Sequence, residues 1–198
     1  MARQLVGARD ALRAALGPRA HGDGFALVGG LAVSVRTEPR FTRDVDLAVS
    51  VGADVEAEAC VWRLQGLGYR LELVLEHTRD RLSTVRLRPP RAGAGGIVID
   101  LLFASSGIEP EIVGRAEPIE ALPGVVVPVA LGSDLLAMKL LSVEARRPQD
   151  AQDIESLLGV LDAGGIESCR QALRLLTARG FNRDRDLEAM LDGLLARP

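Results

Sequence analysis

Asp44 and Asp46 stand two residues apart at the head of an apolar run, 45–51. Alternate side chains of a strand share a face, so this spacing points both carboxylates the same way. Two like charges side by side repel unless a cation lies between them. Magnesium suits such a pair, being a hard ion that takes oxygen ligands and shares them with substrate phosphates. An isolated D-x-D is more often two solvated acids in a loop; the residues ahead of this one set it apart. The apolar run 25–28 reads as a strand that meets Gly29-Gly30 and then a short helix, 31–35. Glycines allow a sharp bend and a close ligand approach. A helix N-terminus offers unpaired N–H groups at the positive end of its dipole. The turn therefore suits a triphosphate.

A third carboxylate, Asp100, lies inside IVIDLLF, residues 97–103. Buried in such a run, it needs a cationic partner or a metal. If its strand neighbours that of Asp44 and Asp46, three carboxylates converge. Two metals about 3.5–4 Å apart can then activate an attacking hydroxyl and stabilise a leaving pyrophosphate. The alternative is an ion pair with one of the arginines. These number 23, against a single lysine, Lys139. Arginine does not replace lysine where a compact point charge is required, which marks Lys139 as a functional candidate. Arg36, Arg40 and Arg43 surround the expected phosphate site, either gripping phosphate bidentately or solvated. Arg170, Arg174, Arg179, Arg183 and Arg185 alternate with acids and read as a solvated helical face rather than an RNA footing.

The elements that must position these groups follow from periodicity and punctuation. Residues 3–16 have helical spacing and stop at Gly17-Pro18. A helix is expected over 54–67, strands over 69–76, 82–88 and 97–103, and a strand pair over 117–129 around Pro123-Gly124. Gly132-Ser133-Asp134 signals a helix over 135–144. Pro148 opens another over 149–159, and two more fill 166–178 and 184–195. The chain thus divides into an α/β core, 1–130, and a helical region, 131–198, that completes the site. No run is apolar and long enough to cross a bilayer, so the expected location is the cytoplasm. The net charge of −3 excludes the overall basic excess of a non-specific nucleic-acid binder, and 3% aromatic residues argue against a base-stacking platform. Trp62 and Tyr69 are expected to pack. Cys60 and Cys169 lack metal or disulfide spacing, and His21 and His77 lack partners.

Gly29-Gly30 followed by Arg40-x-Thr42-x-Asp44-x-Asp46-Leu47 resembles the signature of the AbiEii/AbiGii-type nucleotidyltransferase toxins, which include the MenT-like enzymes. The later segment SDLLAMKLLSVEARRPQDAQDIESLL resembles that family's second motif, a helical Lys, an Arg and then D-x-x-D. These fall on Lys139, Arg146, Asp150 and Asp153. The resemblance covers about residues 24–160 and implies a polymerase-β-like nucleotidyltransferase fold, a mixed sheet with a helical C-terminal part. It implies an NTP as donor and Mg2+ as cofactor. In the MenT-like branch the acceptor is the 3′ end of tRNA, whose modification stops translation and growth. By that likeness Asp44 and Asp46 hold metal, and Lys139 contacts the triphosphate with Gly29, Gly30, Arg40, Thr42, Arg146 and Asp150. Asp153 completes the catalytic set. Thr42 matches a position that a cognate antitoxin phosphorylates in some relatives. The metal role of Asp100 comes from its burial alone. Enzymes that nucleotidylate aminoglycosides or lincosamides share the glycine and D-x-D layout, and a non-catalytic nucleotide-binding partner protein is the reading outside enzymology.

Overall fold

The computed structural model describes every residue except 19–21, 41, 43, 78–80, 91–96, 144–147 and 197–198. Helix α1 (Ala2–Leu16) buries Leu5, Ala8, Leu12 and Ala15 on one stripe, the three-to-four spacing of an amphipathic helix. Strand β1 (Phe25–Val28) is buried along its length and runs straight into α2 (Gly29–Arg36). The two glycines thus form the helix's first turn instead of preceding it. Strand β2 (Asp44–Val49) begins on Asp44 itself. Helix α3 (Asp54–Gly66) and strands β3 (Arg70–His77), β4 (Arg81–Arg88) and β5 (Val98–Leu102) follow. A short helix that periodicity did not show, α4 (Glu109–Arg115), precedes β6 (Glu117–Leu122) and β7 (Val125–Val129). Four helices close the chain: α5 (Gly132–Ser142), α6 (Pro148–Val160), α7 (Ala163–Ala178) and α8 (Leu187–Leu195).

The strands make one mixed seven-stranded sheet among the described residues, in the order β3-β4-β5-β2-β1-β7-β6. The β2–β5 and β1–β7 pairs are parallel, and the rest are antiparallel. Side chains alternate along β2 and β5. Val45, Leu47, Val49, Ile99 and Leu101 point into the core and are buried, while Asp44, Asp46 and Asp100 take the opposite face. The core is one cluster that runs from Leu5 in α1 to Leu191 in α8. The helical third therefore shares its hydrophobic interior with the α/β part, and α2 packs against both α5 and α6.

Tyr69 is buried as expected, but Trp62 is 79% exposed on the outer side of α3. Both cysteines are buried and neither is in a disulfide. Burial pushes the Cys169 thiol up to about 12, so it stays protonated and inert. Among the described residues no helix is long and apolar enough to cross a membrane.

A shared core predicts cooperative unfolding. Leu173 in α7 is fully buried, and Leu173→Ala should cost about 2–5 kcal/mol by cavity formation. Urea denaturation should still show one transition for both parts; two separated transitions would contradict the shared core.

Candidate active site

The polar face of the sheet and the helices α2, α5 and α6 enclose a cleft of about 600 Å³. Its floor is set by register. Asp46 lies across from Val28 on one side and from Asp100 on the other, so the glycine turn and the two acids meet. Gly29 has φ +65°, a conformation that side chains rarely adopt. A Cβ on Gly29 would overlap the Asp46 carboxylate, 2.5 Å from its Cγ. One on Gly30 would sit 2.6 Å from Nη2 of Arg40. Backbone conformation and the Asp46 carboxylate together require glycine at position 29, whereas a side chain at position 30 would have to displace the Arg40 guanidinium. The first turn of α2 has no side-chain cap, which leaves its N–H groups for a ligand at the cleft.

Arg86 on β4 is paired in register with Asp100 and donates two hydrogen bonds to it, at 2.8 and 2.6 Å. Both expectations for Asp100 thus meet at one residue. It stands beside Asp46, and its two oxygens are held by an arginine that sequence reasoning did not single out. Its signal was an Arg alternating with Val85 and Leu87 in a strand that pairs antiparallel with 97–103. Among the described residues no group of three His, Cys, Asp or Glu side chains is placed to hold a metal; Asp100 lies in register with Asp46 but turns both oxygens to Arg86. Asp44 and Asp46, by contrast, have no ion-pair or side-chain hydrogen-bond partner among the described residues. Burial, then the charges of Asp100 and Asp44, push the Asp46 carboxyl up to about 7. Oxygen donors that repel each other and lack a partner fit a divalent cation.

The opposite wall comes from the helical third. Lys139 on α5 reaches Asp150 at 2.7 Å and Asp153 at 2.8 Å, both on α6. Asp153, 1% exposed, also accepts two 2.8 Å hydrogen bonds from Arg40. It therefore sits behind the cleft wall and orients Lys139 and Arg40, which line the cleft with Asp150. One oxygen of Asp150 is buried without a partner. Thr42 lines the cleft and donates to the Asp44 carbonyl at 3.3 Å. Thr84, Ser105 and Ser106 also line it and were not foreseen. Arg146, Arg43 and His21 lie outside the described residues. Arg36 is not at the site: it donates to the carbonyls of Val129 and Ala130 and pairs with Glu117. Arg170, Arg174 and Arg179 pair with nearby acids and Arg185 donates to backbone carbonyls; of those five, Arg183 lines the cleft.

A mixed sheet that presents paired aspartates beside a glycine turn, faced by a helical lysine, is the polymerase-β-like nucleotidyltransferase fold, with a helical C-terminal part. The family model described as "Nucleotidyl transferase AbiEii toxin, Type IV TA system" matches residues 10–194, and the chain belongs to this family; it is a nucleotidyltransferase. No curated protein sequence matches the chain. Among solved structures it is similar to the solution structure of the antibiotic-resistance factor ANT(2'')-Ia. That likeness has a TM-score of 0.51 at 19% identity and covers 90% of this chain and 96% of that one. JHP933 from Helicobacter pylori gives a TM-score of 0.42 at 14% identity, over 98% of this chain and 95% of that one.

Two predictions follow from this geometry. Gly29→Ala should displace the Asp46 carboxylate and strain the turn, removing nucleotidyl transfer while circular dichroism stays native; full activity would refute the contact. The second concerns pH. A carboxyl raised from 3.8 to about 7 holds its proton more tightly in the folded than in the unfolded chain. It thus supports the fold at low pH, and that support is lost as pH rises through about 7. Metal-free protein should therefore lose melting temperature from about pH 5 to pH 8, and Asp46→Asn should flatten that loss. An unchanged profile in the variant would rule out Asp46 as the titrating group.

Proposed function

We propose that the enzyme uses magnesium to transfer nucleotides from an NTP to RNA, at the 3′ end of tRNA, and so inhibits translation and growth. One observation carries the donor half of this reading. In a cleft where Arg40, Arg86, Lys139, Asp100 and Asp150 are all engaged in ion pairs, Asp44 and Asp46 have no such partner among the described residues and stand beside an uncapped helix N-terminus. The N–H groups of that turn take phosphate oxygens, and Lys139 adds a positive charge held in place by Asp150 and Asp153. Magnesium held by Asp44 and Asp46 would offset charge on the triphosphate and lower the barrier to attack by a hydroxyl. The acceptor hydroxyl releases its proton to solvent as its oxygen bonds to the α-phosphorus, the bond from that phosphorus to the bridging oxygen of the β-phosphate breaks, and pyrophosphate leaves.

The RNA acceptor is supported by membership of a toxin family and by the MenT-like signature. It also fits the outer end of the cleft. Leu73 pairs with Arg86 and Leu75 with Thr84, so both continue the floor outward. They are 44% and 50% exposed. A floor that runs on past the cavity suits an acceptor larger than the cavity. A cognate antitoxin belongs to the same reading, since the family is that of a type IV toxin–antitoxin system. Phosphorylation of Thr42 would place up to about two negative charges beside Asp44 and Asp46, opposing triphosphate entry. A second reading, transfer to a small antibiotic, is favoured by the fold's likeness to an antibiotic-resistance factor.

Incubation with each labelled NTP, magnesium and total RNA should label tRNA, and induced expression should arrest growth. Asp44→Ala should reduce labelling by more than the roughly 10–100-fold typical of groups one step from a metal, with the melting curve unchanged. Labelling of an aminoglycoside or lincosamide in place of RNA would move the assignment to the second reading, and no label in RNA with any nucleotide would end the first.

A further inference from the structure

The loop between α7 and α8 has a conformation that its residues do not favour. Arg183 has φ 53° and Asp184 φ 57°. These are the only described non-glycine residues in the left-handed region, and they are consecutive. Asp tolerates that region through local hydrogen bonding, whereas a long side chain such as Arg is uncommon there. Glycine would relieve the strain, and the chain has Gly180 at φ 77° three residues earlier. Backbone strain of this kind persists where the surroundings over-determine it, and it collects at functional sites.

The surroundings here do over-determine it. Nη1 of Arg185 donates to the carbonyls of Leu141 and Val143 at 3.1 and 2.9 Å. The loop is thereby fastened to the C-terminal end of α5, the helix that carries Lys139. Nδ2 of Asn182 donates to the Arg185 carbonyl at 3.0 Å, and Asp186 caps α8 by accepting from the N–H of Ala189. The result is that Arg183, an exposed residue, lines the cleft.

Its charge has no counterpart there. Arg40 is engaged by Asp153, Arg86 by Asp100, and Lys139 by Asp150 and Asp153. Arg183 has no ion pair or hydrogen bond among the described residues. With these pairs set aside, the described residues of the cleft leave two carboxylates, Asp44 and Asp46, and the guanidinium of Arg183. A ligand that brings both a cation and a phosphate chain satisfies both ends.

Resting on nucleotidyl transfer as the activity, we infer that Arg183 is a phosphate-binding residue of the cleft. Its guanidinium contacts a phosphate of the nucleoside triphosphate or of the acceptor strand. The planar fork suits phosphate oxygens in either source, and the strained turn holds it over the opening without borrowing an acid from the wall.

The test measures dissociation constants of wild type, Arg183→Ala, Arg183→Lys and Arg183→Gly, with Arg3→Ala on the exposed side of α1 as control. The probes are magnesium tripolyphosphate and a short single-stranded RNA. Arg183→Ala should weaken one probe by about 10-fold or more, and Arg183→Lys should restore part of it. Loss with tripolyphosphate assigns the contact to the donor, and loss with RNA to the acceptor. Arg183→Gly should bind as poorly as Arg183→Ala yet melt no lower than wild type, because it removes the strain together with the charge. Unaltered binding of both probes by Arg183→Ala, an equal loss in Arg3→Ala, or a wild type that binds neither probe would overturn the inference. Binding of tripolyphosphate through Arg183 with no label transferred to RNA would leave this site standing and remove the RNA acceptor instead.

Discussion

The structure depends on the buried carboxylate of Asp153. It accepts from Arg40, which lies 113 residues earlier, and from Lys139 on the neighbouring helix. A charge this deeply buried is tolerated only with well-placed partners, and removing either partner leaves an uncompensated ion. Three segments are therefore constrained at once: the loop that leads into β2, the helix α5, and α6. The loop brings Arg40 against Gly30, α5 delivers the amine to the cleft, and α6 anchors both. The cleft is assembled only when the last third of the chain docks on the sheet, and the two share one hydrophobic interior.

Around that anchor the charges sort into two kinds. Arg86 with Asp100 and Lys139 with Asp150 are ion pairs that shape the walls. Among the described residues Asp44 and Asp46 have no ion-pair partner on the floor, with Asp46 pushed up by burial and by its acidic neighbours. Proteins do not gain stability from adjacent carboxylates in a recess. The arrangement makes sense as a site in which the missing positive charge arrives with the substrate. Gly29 serves the same end, since its missing side chain is the space that the Asp46 carboxylate occupies.

Much of this was legible in the sequence, because it rests on short-range patterns. The spacing of Asp44 and Asp46, the glycine pair and the helix-start before Lys139 each specify local geometry. Strand order was not legible, and with it went Arg86. Nothing in RLSTVRLR says which acid its second arginine will face until β4 is laid beside β5. Helix α4 escaped because seven residues with a proline near the start give too few turns for a period to show. Trp62 was expected to pack by its chemistry, yet the helix buries Cys60, Val61 and Leu64 and turns the indole to solvent. The αL turn at Arg183 has no sequence signal at all, since it is imposed by hydrogen bonds to α5 from across the fold.

The composition has a practical consequence once the structure is known. Lys139 is the one side-chain amine in 198 residues, and it lies in the cleft wall with 15% of its surface open. An acylating reagent therefore meets a single ε-amino target, and that target reports on the interior of the cleft. Any occupant of the cleft shields it and any loosening of Asp150 or Asp153 exposes it. The mass added at Lys139 by one brief acylation, told apart from that on the chain's α-amine by peptide mapping, thus becomes a gauge of occupancy, in a protein whose arginines are silent to the same chemistry.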